Sequence, residues 1–317
     1  MSFGRILTAM VTPMNAALEV DYEGAKRLAK YLTVHGSDGV VVCGTTGESP
    51  TVTDEEKVEL FRAVKQTLGK RTVIAGIGSY STAATIALAR KAATTGVDGF
   101  LVVVPYYNKP SQEGMFQHFK AIAEATSLPI ILYNVPGRTS SNLLPETVKR
   151  LSEIPNIVAL KEAAGSLDQV SELKRMLPTE FQVYSGDDSM TLPMLALGCS
   201  GVVSVAAHVV GDAMKKMVDA WFDGDTALAT KWHLDLFPIF KGIFVTSNPV
   251  PIKAMMNMIG IKVGGVRLPL VQATLVEMKF LKDLMDQFNK THVSSNSGTK
   301  VTTELKVASE KESDIIV

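Results

Sequence analysis

The chain has 317 residues, 46% of them hydrophobic, with 32 basic and 32 acidic side chains and a formal net charge of zero. That length holds one large α/β barrel or two ordinary domains, and the apolar fraction excludes an intrinsically disordered chain. Balanced charge, with no basic run and no RNA-binding aromatic signature, excludes nucleic acid as the main partner.

In chain order, apolar runs at 6–11, 39–43, 72–77, 99–104, 130–133, 157–161, 182–185 and 201–205 read as eight strands. Most are continuous rather than alternating, as in parallel strands covered on both faces. Amphipathic segments such as 21–35, 54–68, 82–95 and 112–126 lie between them. Thr53-Asp54-Glu55-Glu56 matches a helix-opening capping box. After the eighth strand, 212–222, 226–240, 252–259 and 272–288 read as helices without intervening strands. The first or second of these completes the barrel. From 290 onward the chain turns polar and reads as a mobile tail.

Strand-helix alternation of this length predicts a closed (β/α)8 TIM barrel with a C-terminal helical extension. The expected division is a barrel at 1–224, a helical unit at 225–289 and a tail at 290–317. A doubly wound open sheet is the alternative. Its glycine-rich fingerprint is missing, because Gly76-Ile77-Gly78-Ser79-Tyr80-Ser81 lacks the third glycine.

Cys43 and Cys199 both sit in apolar segments, which predicts no disulfide framework and a cytoplasmic setting. No secretory signal is expected, since 6–11 is too short and Pro13 and Asn15 follow. Residues 189–211 carry no Asp, Glu, Lys or Arg, yet Pro193, Gly198, Ser200 and His208 interrupt them. A helix at 190–197 and a strand at 201–205 fit better than a membrane span.

Lys161 ends the otherwise apolar strand at 157–161. Burial disfavours a charged amine, and a neutral amine is what attacks a ketone to form a Schiff base. The plainer alternatives are a lysine that reaches out to solvent or pairs with Glu162.

In such a barrel the active site lies at the C-terminal ends of the strands. The polar chemistry collects there, in Gly44-Thr45-Thr46-Gly47-Glu48-Ser49, Pro105-Tyr106-Tyr107-Asn108-Lys109-Pro110, Tyr133-Asn134-Val135-Pro136-Gly137-Arg138, Lys161-Glu162 and Gly186-Asp187-Asp188. Gly44 and Gly47 allow a tight turn that exposes N–H groups to a carboxylate, and Thr45 and Thr46 add hydroxyls. An ordinary polar turn is the competing reading. Tyr133, on the strand before Lys161, can move protons or simply fill the barrel end. Arg138 offers a planar fork to a carboxylate, or a surface ion pair.

Asp187-Asp188 could suggest a metal, but Asp188 reads better as a helix N-cap. His35, His118, His208, His233 and His292 are scattered, with no His-Glu-x-x-His and no Cys-x-x-Cys, so no metal site is predicted. His208 alone lies near the proposed site, in a packing or supporting role. The P-loop ending is also absent.

Taken together and in order, with Ser111-Gln112-Glu113-Gly114 and Thr139 extending two of them, these motifs resemble the dihydrodipicolinate synthase family. Its members are also called 4-hydroxy-tetrahydrodipicolinate synthases, within the pyruvate-dependent aldolase and lyase superfamily that includes N-acetylneuraminate lyase. The resemblance spans residues 4–288. It implies that Lys161 forms an imine with pyruvate and that Thr46 holds the pyruvate carboxylate. Tyr133, Thr45 and Tyr107 would form a proton relay, with Tyr107 supplied by a neighbouring subunit of a homotetramer. Arg138 would bind the carboxylate of L-aspartate 4-semialdehyde, and backbone groups of Gly186 and Val203 would line the pocket. No metal, nucleotide or other cofactor is implied. The reaction would open the diaminopimelate route to lysine.

The runner-up is a lyase for a sugar-derived 2-keto acid using the same lysine, and Arg138 in Asn-Val-Pro-Gly-Arg argues against it. A non-catalytic protein on the same fold is the third reading. Lysine-inhibited members of the family bind free lysine with an acidic residue, an amide and nearby histidines. The matching positions here are Ala84, Tyr80, Asp54 and Lys57, so weak or absent lysine inhibition is expected.

Overall fold

A computed structural model describes residues 3–293 of the chain. Eight parallel strands close into a barrel. They are β1 (Ile6–Ala9), β2 (Gly39–Val42), β3 (Thr72–Gly76), β4 (Gly99–Val103), β5 (Ile130–Asn134), β6 (Ile157–Glu162), β7 (Gln182–Ser185) and β8 (Gly201–Ser204). Each pairs with the next in sequence, and β8 pairs back to β1 through Leu7 and Val203. All eight expected strands are present. Several stop short of the apolar run that announced them, while β5 and β6 each run one residue further, to Asn134 and Glu162.

The apolar runs conceal a period of two. Val41, Ile74, Leu101, Ile131, Ala159, Tyr184 and Val203 pack together as the cluster within the barrel. Their neighbours Val40, Val42, Val73, Phe100, Leu132, Leu160 and Val202 belong to the outer cluster, shared with the helices. Because both faces are apolar, the strand sequence shows a run where an exposed sheet would show alternation.

The outer layer comprises α1 (Tyr22–Val34), α2 (Asp54–Leu68), α3 (Thr82–Ala93), α4 (Gln112–Glu124), α5 (Pro136–Thr139), α6 (Pro145–Ser152), α7 (Leu167–Met176), α8 (Thr191–Ala196) and α9 (Ala207–Phe222). The Thr53 capping box is formed: its hydroxyl accepts from Glu56 N, and the Glu56 carboxylate accepts from Thr53 N. The helix expected at 212–222 begins earlier, at Ala207, and is broken at Val210, whose backbone leaves the helical region. Gly211 follows this kink, where an added Cβ would stand 2.1 Å from the His35 carbonyl. That close approach lets the end of α1 reach α9.

The extension consists of α10 (Thr226–Gly242), α11 (Val250–Met258) and α12 (Leu275–Val293). α10 packs along α9, and α12 packs against α10 and α11. α12 carries the chain through 290–293, positions expected in the tail; the rest of that tail, 294–317, lies outside the described residues. Among the described residues no helix is long and apolar enough to cross a membrane.

Ion pairs help bind the extension back to the barrel. Arg267 forks onto both oxygens of Glu56, at 2.8 and 2.7 Å, and donates to the Leu18 and Thr51 carbonyls. Lys253 and Glu48 form an ion pair of 2.7 Å, with both side chains almost wholly buried.

Candidate active site

After a register shift between Ile130 and Ile131, β5 and β6 pair so that Tyr133 lies opposite Lys161 and Asn134 opposite Glu162. Both members of the first pair are 5% exposed. Lys161 Nζ lies 4.1 Å from the centroid of the Tyr133 ring. Alternation along the strand sends the next pair the other way. Glu162, an ion-pair candidate for Lys161 in the sequence, instead accepts from Asn134 Nδ2, Gln169 Nε2 and Ala164 N. Its burial holds its carboxyl above the usual range, against the pull of those donors.

The room around Lys161 is set by Gly186, just beyond β7. A Cβ added there would lie 3.1 Å from Lys161 Cε and 2.7 Å from Ala163 Cβ. Gly186 N donates to the Glu162 carbonyl at 2.7 Å, fixing that approach. Val203, on β8, is fully buried in the inner cluster.

A cavity of about 210 Å³ opens at this end of the barrel, with Gly44, Thr45, Tyr106, Tyr133, Arg138 and Thr139 among its lining residues. Thr45, Tyr133 and Arg138 are thus brought together. Lys161, Thr46, Gly186 and Val203 lie outside that lining. Tyr107 does too: it is 91% exposed with φ of 70°, while its neighbour Tyr106 meets Tyr80 edge-on at 5.4 Å between ring centroids.

The loop after β2 forms a short 3-10 turn over Thr45–Gly47. The first N–H groups of such a turn, here those of Thr45 and Thr46, have no partner within it. Glu48 follows in the left-handed region, with φ of 56°. Its carboxylate receives Lys253 Nζ on one oxygen and Arg267 N, at 3.0 Å, on the other. Burial lowers the Lys253 pKa, and Glu48 opposes that shift. Lys253 also donates to the Thr12 carbonyl, and the Thr12 hydroxyl donates to the Gly47 carbonyl. The Thr46 hydroxyl accepts from Asn248 Nδ2 at 2.9 Å. Asn248, Lys253 and Arg267 carried no signal in the sequence that tied them to this loop.

The cap expected of Asp188 belongs to its neighbour. Asp187 is the cap, its Oδ1 accepting from Ser189 N at 2.9 Å. Asp188 turns inward and accepts from Ser204 Oγ, Val205 N and Ala206 N at the end of β8. Burial pushes its carboxyl up to about 6 despite these donors. The N-cap assigned to Asp188 is therefore one residue too late: three buried donors outcompete a single cap bond.

His208 is fully buried beside Val11 and Val205. Its Nε2 accepts from Val11 N, so Nδ1 carries the proton and donates to the Val205 carbonyl. Burial lowers its pKa to about 4. The positions matched to a lysine site hold an Asp54–Lys57 pair at 3.3 Å, an exposed Ala84 and an exposed Tyr80.

A family model described as the dihydrodipicolinate synthetase family matches residues 2–288. A 4-hydroxy-tetrahydrodipicolinate synthase of Desulforamulus reducens is 58% identical over 289 residues, covering 90% of this chain and 98% of that protein. The crystal structure of dihydrodipicolinate synthase DapA-2 from Bacillus anthracis superposes with a TM-score of 0.89 at 48% identity, covering 90% and 98% of the two chains. The lysine-bound dihydrodipicolinate synthase of Cyanidioschyzon merolae has the same TM-score, 0.89, at 46% identity and the same coverage, 90% and 98%. An eight-stranded barrel, a lysine against a tyrosine at its mouth and this likeness along nearly the whole length agree, and the chain belongs to the dihydrodipicolinate synthetase family.

Proposed function

We propose that the chain is a Schiff-base-forming lyase that condenses pyruvate with L-aspartate 4-semialdehyde, giving 4-hydroxy-tetrahydrodipicolinate on the diaminopimelate route to lysine. The observation that carries this reading is the placement of Lys161 Nζ against the Tyr133 ring at the barrel mouth. The names of relatives 57–58% identical to this chain support the choice of substrates.

Lys161 attacks the pyruvate ketone through its free amine, and loss of water leaves an imine. The imine withdraws electrons, so a proton leaves the pyruvate methyl group and an enamine forms. The enamine carbon attacks the aldehyde of the second substrate. The amino group of that substrate then attacks the imine carbon, closing the ring and releasing the Lys161 amine.

Tyr133, Thr45 and Tyr107 move the protons these steps require. Tyr107 is exposed and outside the lining of its own cavity, in keeping with service to a neighbouring subunit in a homotetramer built as a dimer of dimers. Thr46 and adjacent N–H groups hold the pyruvate carboxylate, while Gly186 and Val203 line its site. Arg138 takes the semialdehyde carboxylate. We read 1–224 as the catalytic barrel, 225–289 as the helical unit, and the setting as cytoplasmic.

Incubation with pyruvate and borohydride tests the first step. A reduced adduct is expected on Lys161, and its absence would remove the Schiff-base mechanism. Turnover is then compared between aspartate semialdehyde and N-acetylneuraminate. Preference for the latter would replace the synthase reading with a sugar-acid lyase.

A further inference from the structure

Asn248 lies between α10 and α11, 202 residues from Thr46 in sequence, yet its Nδ2 is 2.9 Å from the Thr46 hydroxyl. Both residues are buried, at 6% and 2% exposure. An amide nitrogen only donates, so in this contact the hydroxyl oxygen is the acceptor. The Thr46 hydroxyl proton is then left for another group. Asn248 Oδ1, the other end of the same amide, is buried without a partner. Were the amide turned over, Oδ1 would take the Thr46 proton for itself, and the hydroxyl could offer a ligand only its lone pairs. The amide orientation thus decides whether Thr46 presents a donor or an acceptor.

From this we infer that Asn248 is a positioning residue for the pyruvate carboxylate, acting through Thr46. It holds the hydroxyl oxygen from behind and leaves its proton for the anion. The inference rests on the reading of Thr46 as a carboxylate ligand. The side chain is supplied by the C-terminal extension rather than the barrel. The neighbouring Lys253–Glu48 pair and the Thr12–Gly47 bond steady the same loop, so the hydroxyl is presented from a fixed backbone. A donor aimed in advance at an anion loses less on binding than one that must first reorient.

The test is a double-mutant cycle on pyruvate half-saturation, read both from turnover and from borohydride trapping on Lys161. Asn248→Ala is expected to raise the pyruvate KM roughly tenfold, the scale of one hydrogen bond to a charged group, while kcat stays within about twofold. Asn248→Asp, an acceptor where the amide donates, is expected to raise it further. Thr46→Val should raise it by at least as much as Asn248→Ala.

The double variant should be no worse than Thr46→Val alone, because Asn248 then has nothing to orient. Effects that multiply in the double variant would overturn the inference, as would an unchanged KM in Asn248→Ala beside a raised one in Thr46→Val. An unchanged KM in Thr46→Val would instead sink the carboxylate reading of Thr46, and the role of Asn248 with it. Melting curves accompany each variant. Should the alanine variant not fold, Asn248→Ser replaces it in the same cycle with the same expected outcomes.

Discussion

Lys161 and Tyr133 face each other across adjacent strands, with Nζ 4.1 Å from the centre of the tyrosine ring. Tyr133→Phe keeps that ring and removes only the hydroxyl. Pyruvate should therefore still be trapped on Lys161 by borohydride, while turnover falls about 10²–10⁴-fold, the range for a lost proton-transfer group. Mass spectrometry of the adduct beside steady-state rates checks both halves. A rate within about threefold of the parent would take Tyr133 out of the proton relay.

Gly186→Ala should place a methyl group 3.1 Å from Lys161 Cε and 2.7 Å from Ala163 Cβ. Overpacking of this kind costs about 1–3 kcal/mol and is relieved by moving whatever is softest, here the lysine stem. The expected outcome is a modest loss of melting temperature with a disproportionate loss of imine formation. Equal trapping of pyruvate by variant and parent would show that the lysine needs no such clearance.

Lys253→Met should leave Glu48 as a buried carboxylate without its cation. Removing one member of a buried pair costs about 3–5 kcal/mol. Adding Glu48→Gln removes the stranded charge, so the double variant should recover part of the loss in a urea titration. A double variant less stable than Lys253→Met would contradict the pairing.

Two buried groups make stability depend on pH in opposite senses. His208 has a pKa near 4 in the folded chain against 6.5 when unfolded, so its contribution is complete above about pH 6.5 and is lost as the pH falls toward 4. Asp188 is raised from 3.8 to about 6, so its ionisation costs stability above pH 6, and that cost fades on acidification. Each effect is worth roughly 3 kcal/mol at most. Asp188→Asn removes the compensating one and should make stability fall more steeply between pH 6.5 and 4. Urea midpoints at several pH values supply the comparison, and parallel curves would argue for an ordinary Asp188.

Free lysine in the millimolar range should leave the rate above half its uninhibited value. Ala84 is exposed on α3 and has no carboxylate for an amino group, and Asp54 is engaged by Lys57. Initial rates against lysine concentration provide the check; half-inhibition by millimolar lysine would show that other groups make the site.

The barrel and its mouth were readable in the sequence because local rules write them. Thr45 in the turn after β2, and Tyr133 and Lys161 near the ends of β5 and β6, follow from short apolar runs and the turn residues after them. What stayed hidden depends on contacts far apart in the chain. Asn248, Lys253 and Arg267 reach the loop after β2 from 202 to 219 residues away, and no periodicity or spacing encodes such a meeting. The cap role of Asp187 was hidden for a similar reason: cap preference is local, whereas the donors that draw Asp188 inward sit at and just past the end of β8. The start of α9 was masked by Val210, a core residue whose backbone leaves the helix to admit Gly211 beside His35.

The Glu48–Lys253 pair has a consequence for how the protein is made. A ribosome releases the barrel strands well before Lys253 and Asn248 emerge, and chains begin to fold in that order. Until those residues arrive, the loop bearing Thr45 and Thr46 has neither its buried cation nor its amide partner. A nascent chain can thus hold all eight strands while the loop after β2 is still unlocked. Competence is conferred late in synthesis, by a segment that contributes no strand to the barrel.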